Sequence, residues 1–461
     1  MTDASRFEHR MSDSDALMWT IEKDPLLRST IMAVALLDQA PDHARVRDKI
    51  ERGLRMIPRL RQRAAAPPLR VAPPQWVVDP HFDLDYHLRY VNCPGEGSLR
   101  DLLDYAAPLA MQGFDRARPL WEFTVVEGMA DGGAALIQKV HHSVTDGVGG
   151  MELAMMLLDL ERDPTDDPGP MEPLTDAERP SPVALLREGL DHVRRRQLGI
   201  ARRAAATVPG VARDAVGSAR AAVDAARSLG RLLTPVTEPL SPIMGGRSLS
   251  VHFDLLTAPL AETKAAAKQA DGKLNDAFVA AVAGGLARYH ERHGAPIDEL
   301  RMTMPINIRV EGQAAGGNQF VPARFPVPMN IADPVERMRV IRGLVTEQRA
   351  EPALAFTDAI AGVLNRLPTG AVTQLFGSML KGIDFVTSNV PGAPFPVYLA
   401  GSRVEANFAF APLSGAAANI TLLSHIDEIQ VGVNTDPAAV PDPDVFLACL
   451  QEGFDEIRKV G

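Results

Sequence analysis

The strongest constraint on the fold is a break in the middle of the chain. From Asp163 to Pro182 the sequence is dense in proline, aspartate and glutamate and reads as a linker. From Val183 to Leu233 the character changes again. Arg187, Arg194, Arg195, Arg196, Arg202, Arg203, Arg213, Arg220, Arg227 and Arg231 stand against only Glu188, Asp191, Asp214 and Asp224. Alanine fills much of the remainder, and Leu185, Leu186 and Leu190 recur at helical spacing, which predicts one or two basic amphipathic helices interrupted near Pro209. A proline-rich stretch from Thr234 to Pro242 closes the segment. On either side, strand-like and helix-like patterns alternate. A chain of 461 residues also exceeds what one simple core holds. The expected organisation is an N-terminal α/β lobe over 1–162, a linker and helical crossover over 163–245, and a second α/β lobe over 246–461.

The second lobe opens on SLSVHFDLL, where Leu249, Val251 and Phe253 alternate with Ser250, His252 and Asp254 as in a half-buried strand. Asn275 to Arg292 is helical in pattern, and Ile383–Thr387 and Ile429–Val433 are strand-like. A net charge of -10 argues against general nucleic-acid binding, which needs a basic footprint. The two cysteines, Cys93 and Cys449, lack metal-type spacing and suit a reducing compartment. The N-terminus MTDASRFEHRMSDSD is not a signal peptide, and runs such as Ile31–Leu37 fall far short of the roughly 20 residues that span a bilayer. The expected location is cytoplasmic, with contact to a membrane surface left open.

One stretch concentrates chemistry: KVHHSVTDGVGGME, residues 139–152. The run AALIQKV before it is a short apolar strand. The run GVGGMELAMMLLDL after it is a helix whose Leu153, Met156, Leu157 and Leu160 form an ordinary packing stripe. Successive strand side chains point to opposite faces, so at most one of His141 and His142 enters a given cavity. This works against a metal site, for which two histidines on one element want i, i+2 or i, i+4 spacing. An imidazole suits general-base work near neutrality; equally, it suits a buried ring bonded to a carbonyl, with Asp146 capping the following helix. Gly147, Gly149 and Gly150 allow a sharp turn close to a ligand.

HHSVTDG resembles the His-His-x-x-x-Asp-Gly signature of CoA-dependent acyltransferases, a superfamily that includes chloramphenicol acetyltransferase and peptide-synthetase condensation domains. More narrowly, the chain resembles the bacterial wax ester synthase/diacylglycerol acyltransferase family. Ser12 and Asp15, Pro119-Leu120-Trp121, Asn275-Asp276, TMPINIR with Gly317-Asn318, and TSNVPGAPFPVYLAG match that family's elements in order. Three departures bear on the acceptor. Ala393 stands where proline is commoner, Ser424-His425 where Ser-Tyr is usual, and DPLLRSTI lacks a Met-His pair.

The resemblance implies two chloramphenicol-acetyltransferase-like lobes, each a mixed sheet with helices, and an active-site tunnel between them. It implies transfer of a long-chain acyl group from acyl-CoA to diacylglycerol or a long-chain alcohol, with no acyl-enzyme, no bound cofactor and no metal. His142 would be the base, His141 would point into the core, and Asp146 with Gly147 would shape the loop, Asp146 pairing with an arginine such as Arg309. Asn275 would donate to the oxyanion, or by its position alone cap its helix, and Asp276 in the first turn complements the helix dipole; Ser388 and Asn389, which read as a Pro/Gly-rich turn, would be structural or tunnel-lining. The implied workplace is the inner membrane face or a lipid body, reached peripherally. Alternatives are a same-fold acyltransferase for another hydroxyl or amine, and a catalytically silent lipid-binding paralogue.

Overall fold

The computed structural model describes residues 9–144, 157–164, 180–213, 235–236, 238–307, 320–351 and 357–461. Fourteen strands occur in chain order among them: β1 Thr30–Leu37, β2 Gln62–Ala65, β3 Gln75–Val78, β4 Leu88–Asn92, β5 Trp121–Glu127, β6 Ala134–His141, β7 His252–Pro259, β8 Glu299–Asn307, β9 Phe320–Pro328, β10 Phe385–Pro391, β11 Tyr398–Leu399, β12 Ser402–Phe410, β13 Ala418–His425 and β14 Glu428–Thr435. They build two six-stranded sheets, ordered β11-β12-β1-β6-β5-β4 and β7-β14-β13-β10-β8-β9, and a small β2-β3 ribbon. Both large sheets are mixed. The first is antiparallel except for the β4–β5 pair, and the second has β10 parallel to both β8 and β13.

The first sheet is not built from one contiguous stretch of chain. β11 and β12 come from the C-terminal part of the chain, yet β12 pairs antiparallel with β1 in the first sheet. β12 also faces the second sheet. Phe410 stacks on Phe253 of β7 with ring centroids 4.1 Å apart. A side chain at Gly432 of β14 would place its Cβ 2.1 Å from the Ala409 carbonyl oxygen, so only glycine permits this approach. A strand boundary also moved: β7 starts at His252, and Leu249 is exposed.

The helix Leu274–Arg292 is apolar on every side from Ala277 to Leu286, and all of it is buried. It lies against the C-terminal helix Pro443–Arg458 so closely that a Cβ at Gly453 would sit 2.2 Å from the Ala281 oxygen. The crossover helix spans Pro182–Arg213, so the interruption expected near Pro209 does not end it. Proline costs a helix one hydrogen bond and some kinking, and it can be carried inside; Pro108 in the helix Leu99–Met111 is a second case.

Candidate active site

β6 carries the histidine pair to the end of the first sheet. Thr30 of β1 pairs with His141, and the ladder continues one residue further, with the His142 amide donating to the Ser29 carbonyl at 2.8 Å. On the other flank the His141 amide donates to the Leu120 carbonyl at 3.0 Å. The Pro-Leu-Trp element therefore leads into β5 alongside the histidine-bearing strand. Its Trp121 is fully buried and donates from Nε1 to the Leu60 oxygen at 2.8 Å.

The two histidines differ in burial. His141 is fully buried. Its Nδ1 lies 2.7 Å from Ser143 Oγ, and its Nε2 lies 3.0 Å from Glu22 Oε1, an ion-pair distance although the N–H is poorly aligned on the oxygen. Trp19 packs edge-on against the His141 ring at 5.5 Å. Burial pushes the Glu22 carboxyl up, but His141, the Ser29 amide at 2.7 Å and Arg116 outweigh it and hold the group below the ordinary carboxylate range. Glu22 thus fixes both the His141 ring and Ser29, whose carbonyl in turn fixes the His142 backbone. Nothing in the sequence marks Glu22; its role comes from the helix Asp13–Ile21 being laid under β6. That helix is capped by Ser12, which accepts from the Asp15 amide at 3.0 Å and donates to its carboxylate at 2.8 Å.

His142 is half-buried in the turn that directly follows β6, and Leu136, Gln138 and Val140 share one face of that strand. Along that face lies a narrow apolar cavity of about 30 Å³. Ala35, Leu136 and Gln138 of the first sheet close it against Ala393, Leu423 and His425. A second cavity of about 60 Å³ opens between Arg28 and Thr30 on one side and Arg247, Leu413 and Asn434 on the other. All three sequence departures from the resembled family fall here. Ala393 and His425 line the first cavity, and Pro25, Leu26, Arg28 and Thr30 of DPLLRSTI line the second. The His425 ring is buried between the carbonyls of Ala393 (3.2 Å) and Val404 (3.3 Å).

Three other site expectations change on inspection. Lys273, not Asn275, is the N-cap of its helix; Asn275 sits one residue inside, its Nδ2 3.7 Å from the Met304 sulfur. Asp276 does serve the helix start, accepting from the Lys273 amide at 2.8 Å. Ser388 and Asn389 are not in a turn: they belong to β10 and pair with Thr421 and Leu422 of β13, because the Pro/Gly punctuation begins only at Pro391. Asp146, Gly147 and Arg309 lie outside the described residues, as do most of the helix expected after the motif and Gly317-Asn318. Among the described residues no group of histidine, cysteine, aspartate or glutamate is placed to hold a metal ion.

Comparison with known proteins converges. Residues 11–278 match the model of the wax ester synthase/diacylglycerol acyltransferase catalytic domain, and residues 316–458 match the C-terminal domain of the same family. A "Putative diacyglycerol O-acyltransferase" of Mycobacterium tuberculosis is 41% identical over 459 residues, covering 99% of this chain and 93% of the relative. Another protein of that name and organism is 30% identical, covering 97% and 96%. In fold, the chain is similar to the wax ester synthase/diacylglycerol acyltransferase of Marinobacter aquaeolei VT8, with TM-score 0.63, 21% identity and 98% of both chains covered. It is also similar to the first condensation domain of the calcium-dependent antibiotic synthetase, with TM-score 0.60, 16% identity and coverage of 98% and 95%.

Proposed function

The chain belongs to the wax ester synthase/diacylglycerol acyltransferase family, and we propose that His142 performs its acyl transfer as the general base. The enzyme is an acyltransferase that esterifies diacylglycerol or an alcohol. The donor in this reading is a long-chain acyl-CoA. An imidazole nitrogen of His142 takes the proton of the acceptor hydroxyl as its oxygen attacks the thioester carbonyl. The C–S bond then breaks, and the departing CoA sulfur receives that proton. No acyl-enzyme is needed.

The observation that carries this reading is the position of His142. Its backbone is pinned by the Ser29 carbonyl, the residue is half-buried, and it directly follows β6, whose Leu136 and Gln138 line an apolar cavity between the lobes. An alkyl-lined space on the histidine-bearing strand suits part of an acyl chain, whose burial contributes about 0.8 kcal/mol per CH₂. Asn275, whose Nδ2 meets only a thioether among the described residues, is the candidate oxyanion donor, since sulfur is a weak acceptor. Asp146 and Arg309 are assigned to holding the loop, and Ser388 and Asn389 to the second lobe's wall.

Acceptors of this kind are insoluble, and no described helix is long and apolar enough to cross a membrane. The exposed Val183, Leu190 and Leu198 of the crossover helix, with exposed Arg194, Arg195 and Arg202, are therefore assigned to peripheral contact with an anionic lipid surface. The deciding experiment screens fatty alcohols, mono- and diacylglycerols with palmitoyl-CoA and measures CoA release. Release only with a lipid alcohol supports the reading. No release with any acceptor means a silent lipid-binding protein.

A further inference from the structure

A cleft of about 180 Å³ opens between the helix Asp13–Ile21, the segment Arg70–Pro74, the crossover helix and the helices Thr357–Leu364 and Thr369–Leu380. It is roomy enough for several waters, and so for a phosphate group. Its charge is lopsided. Among the described residues, Lys23, Arg70, Arg116, Arg196 and Arg366 line it against the single carboxylate of Asp13, in a protein whose overall charge is -10.

Two of the five cations are accounted for. Arg196 pairs with Asp13, and Arg116 lies 3.7 Å from Glu22 while covering the Trp19 ring. The other three are not. Among the described residues Arg70 meets only hydroxyls, those of Thr20 (2.7 Å) and Thr369. Among the described residues, Lys23 and Arg366 have no carboxylate partner. Holding like charges around one concavity is unfavourable unless an anion shares it. The backbone adds to the case. Leu69 and Arg70 both have positive φ (57° and 53°), a conformation costly for side chains of this kind, and it presents Arg70 to the cleft. Burial, together with Arg10, Arg196 and Arg195, also holds the His192 imidazole on the cleft wall below its ordinary range against the pull of Asp13. The floor connects to the site described above, because Trp19 lines the cleft and packs against His141.

We propose that this cleft is a phosphate-binding site in which Lys23, Arg70 and Arg366 hold a phosphate group beside the histidine-bearing strand. Two sources share that chemistry: the phosphates of the CoA donor and the headgroup phosphate of a membrane lipid. The first rests on the acyl-CoA reading; the site itself does not. Cationic side chains on phosphate make charge-assisted bonds, and loss of one or two should weaken binding by about tenfold or more.

The test uses the full-length protein and the K23Q/R70Q/R366Q variant, with adenosine 3′,5′-bisphosphate as the soluble probe in calorimetry. If CoA is the source, wild type binds the probe and the variant binds at least tenfold more weakly. Its KM for palmitoyl-CoA rises in step, and the preference of wild type over 3′-dephospho-palmitoyl-CoA disappears. If a headgroup is the source, the bisphosphate does not bind. Vesicles of phosphatidate in phosphatidylcholine then bind the variant, which keeps the crossover arginines, at least tenfold more weakly than wild type, while pure phosphatidylcholine vesicles bind neither. Equal behaviour of the two proteins toward both probes overturns the site. Should the triple variant fail to fold, K23Q/R366Q alters only two exposed side chains and is read the same way. Binding is measured without turnover, so a variant-sensitive probe in an inactive protein would sink the proposed function and leave the cleft standing.

Discussion

Replacing Glu22 tests whether the histidine pair is held from beneath. The carboxylate is largely buried, with 11% side-chain exposure, and it serves the Ser29 amide at 2.7 Å and His141 Nε2 at 3.0 Å. Glu22→Ala leaves two buried donors without their acceptor, at about 1–3 kcal/mol each. It also removes the Arg116 partner, a half-exposed pair that adds little. The expected loss is therefore about 2–6 kcal/mol. Glu22→Gln keeps an oxygen for Ser29 and loses only the charge, so about half of that or less is expected. Because the folded-state pKa of Glu22 lies below its ordinary value, its contribution is complete above the ordinary carboxylate range of about 4.3 and is lost as pH falls through the lowered value. The gap between wild type and Glu22→Gln should accordingly close below about pH 4. Urea unfolding between pH 3 and 8 measures this, and CoA release reports the accompanying shift of His142 through Ser29. A Glu22→Ala protein with the wild-type urea midpoint and full turnover would refute the account, since His141 and Ser29 would then need no acceptor.

His142→Ala should lower kcat by about two to four orders of magnitude with folding intact, whereas His141→Ala should act mainly on the urea midpoint; the reverse pattern would exchange the two faces. Asp146→Asn should retain more CoA release than Asp146→Ala if the residue positions its loop, and equal, complete loss at unchanged Tm would indicate an essential charge. Ala35→Leu puts three more carbons into the apolar cavity, so the rate with palmitoyl-CoA should drop relative to butyryl-CoA, at a stability cost of about 1–3 kcal/mol; an unchanged chain-length profile would place the acyl chain elsewhere. Charge reversal at Arg194, Arg195, Arg202 and Arg203 should weaken salt-sensitive binding to anionic liposomes without affecting turnover of a short soluble alcohol. Tight binding that ignores both salt and these substitutions would reduce the crossover to a strap between lobes.

Much of this architecture is legible in the sequence because it depends on local pattern. The break at Asp163–Pro242 separates two runs of alternating strands and helices, and each run supplies most of one sheet. Alternation along β6 puts Leu136, Gln138 and Val140 on one face and His141 on the other. Ser12 caps a helix because its hydroxyl needs only the amide three residues on. What the sequence does not carry is anything that depends on distant segments meeting. β12 crosses into the first sheet because its edge finds β1, some 370 residues earlier, and no periodicity encodes a partner. Ser388-Asn389 reads as a turn from its Pro and Gly neighbours, yet β10 is gripped by β8 and β13 and extends through it. Glu22 becomes a support for the histidines, and Lys23, Arg70 and Arg366 become neighbours, only once five separate segments close around one cleft. Local propensity acts over a few residues. Cavities, charge clusters and buried ion pairs are set by packing across the whole chain, and there the tertiary structure alone decides.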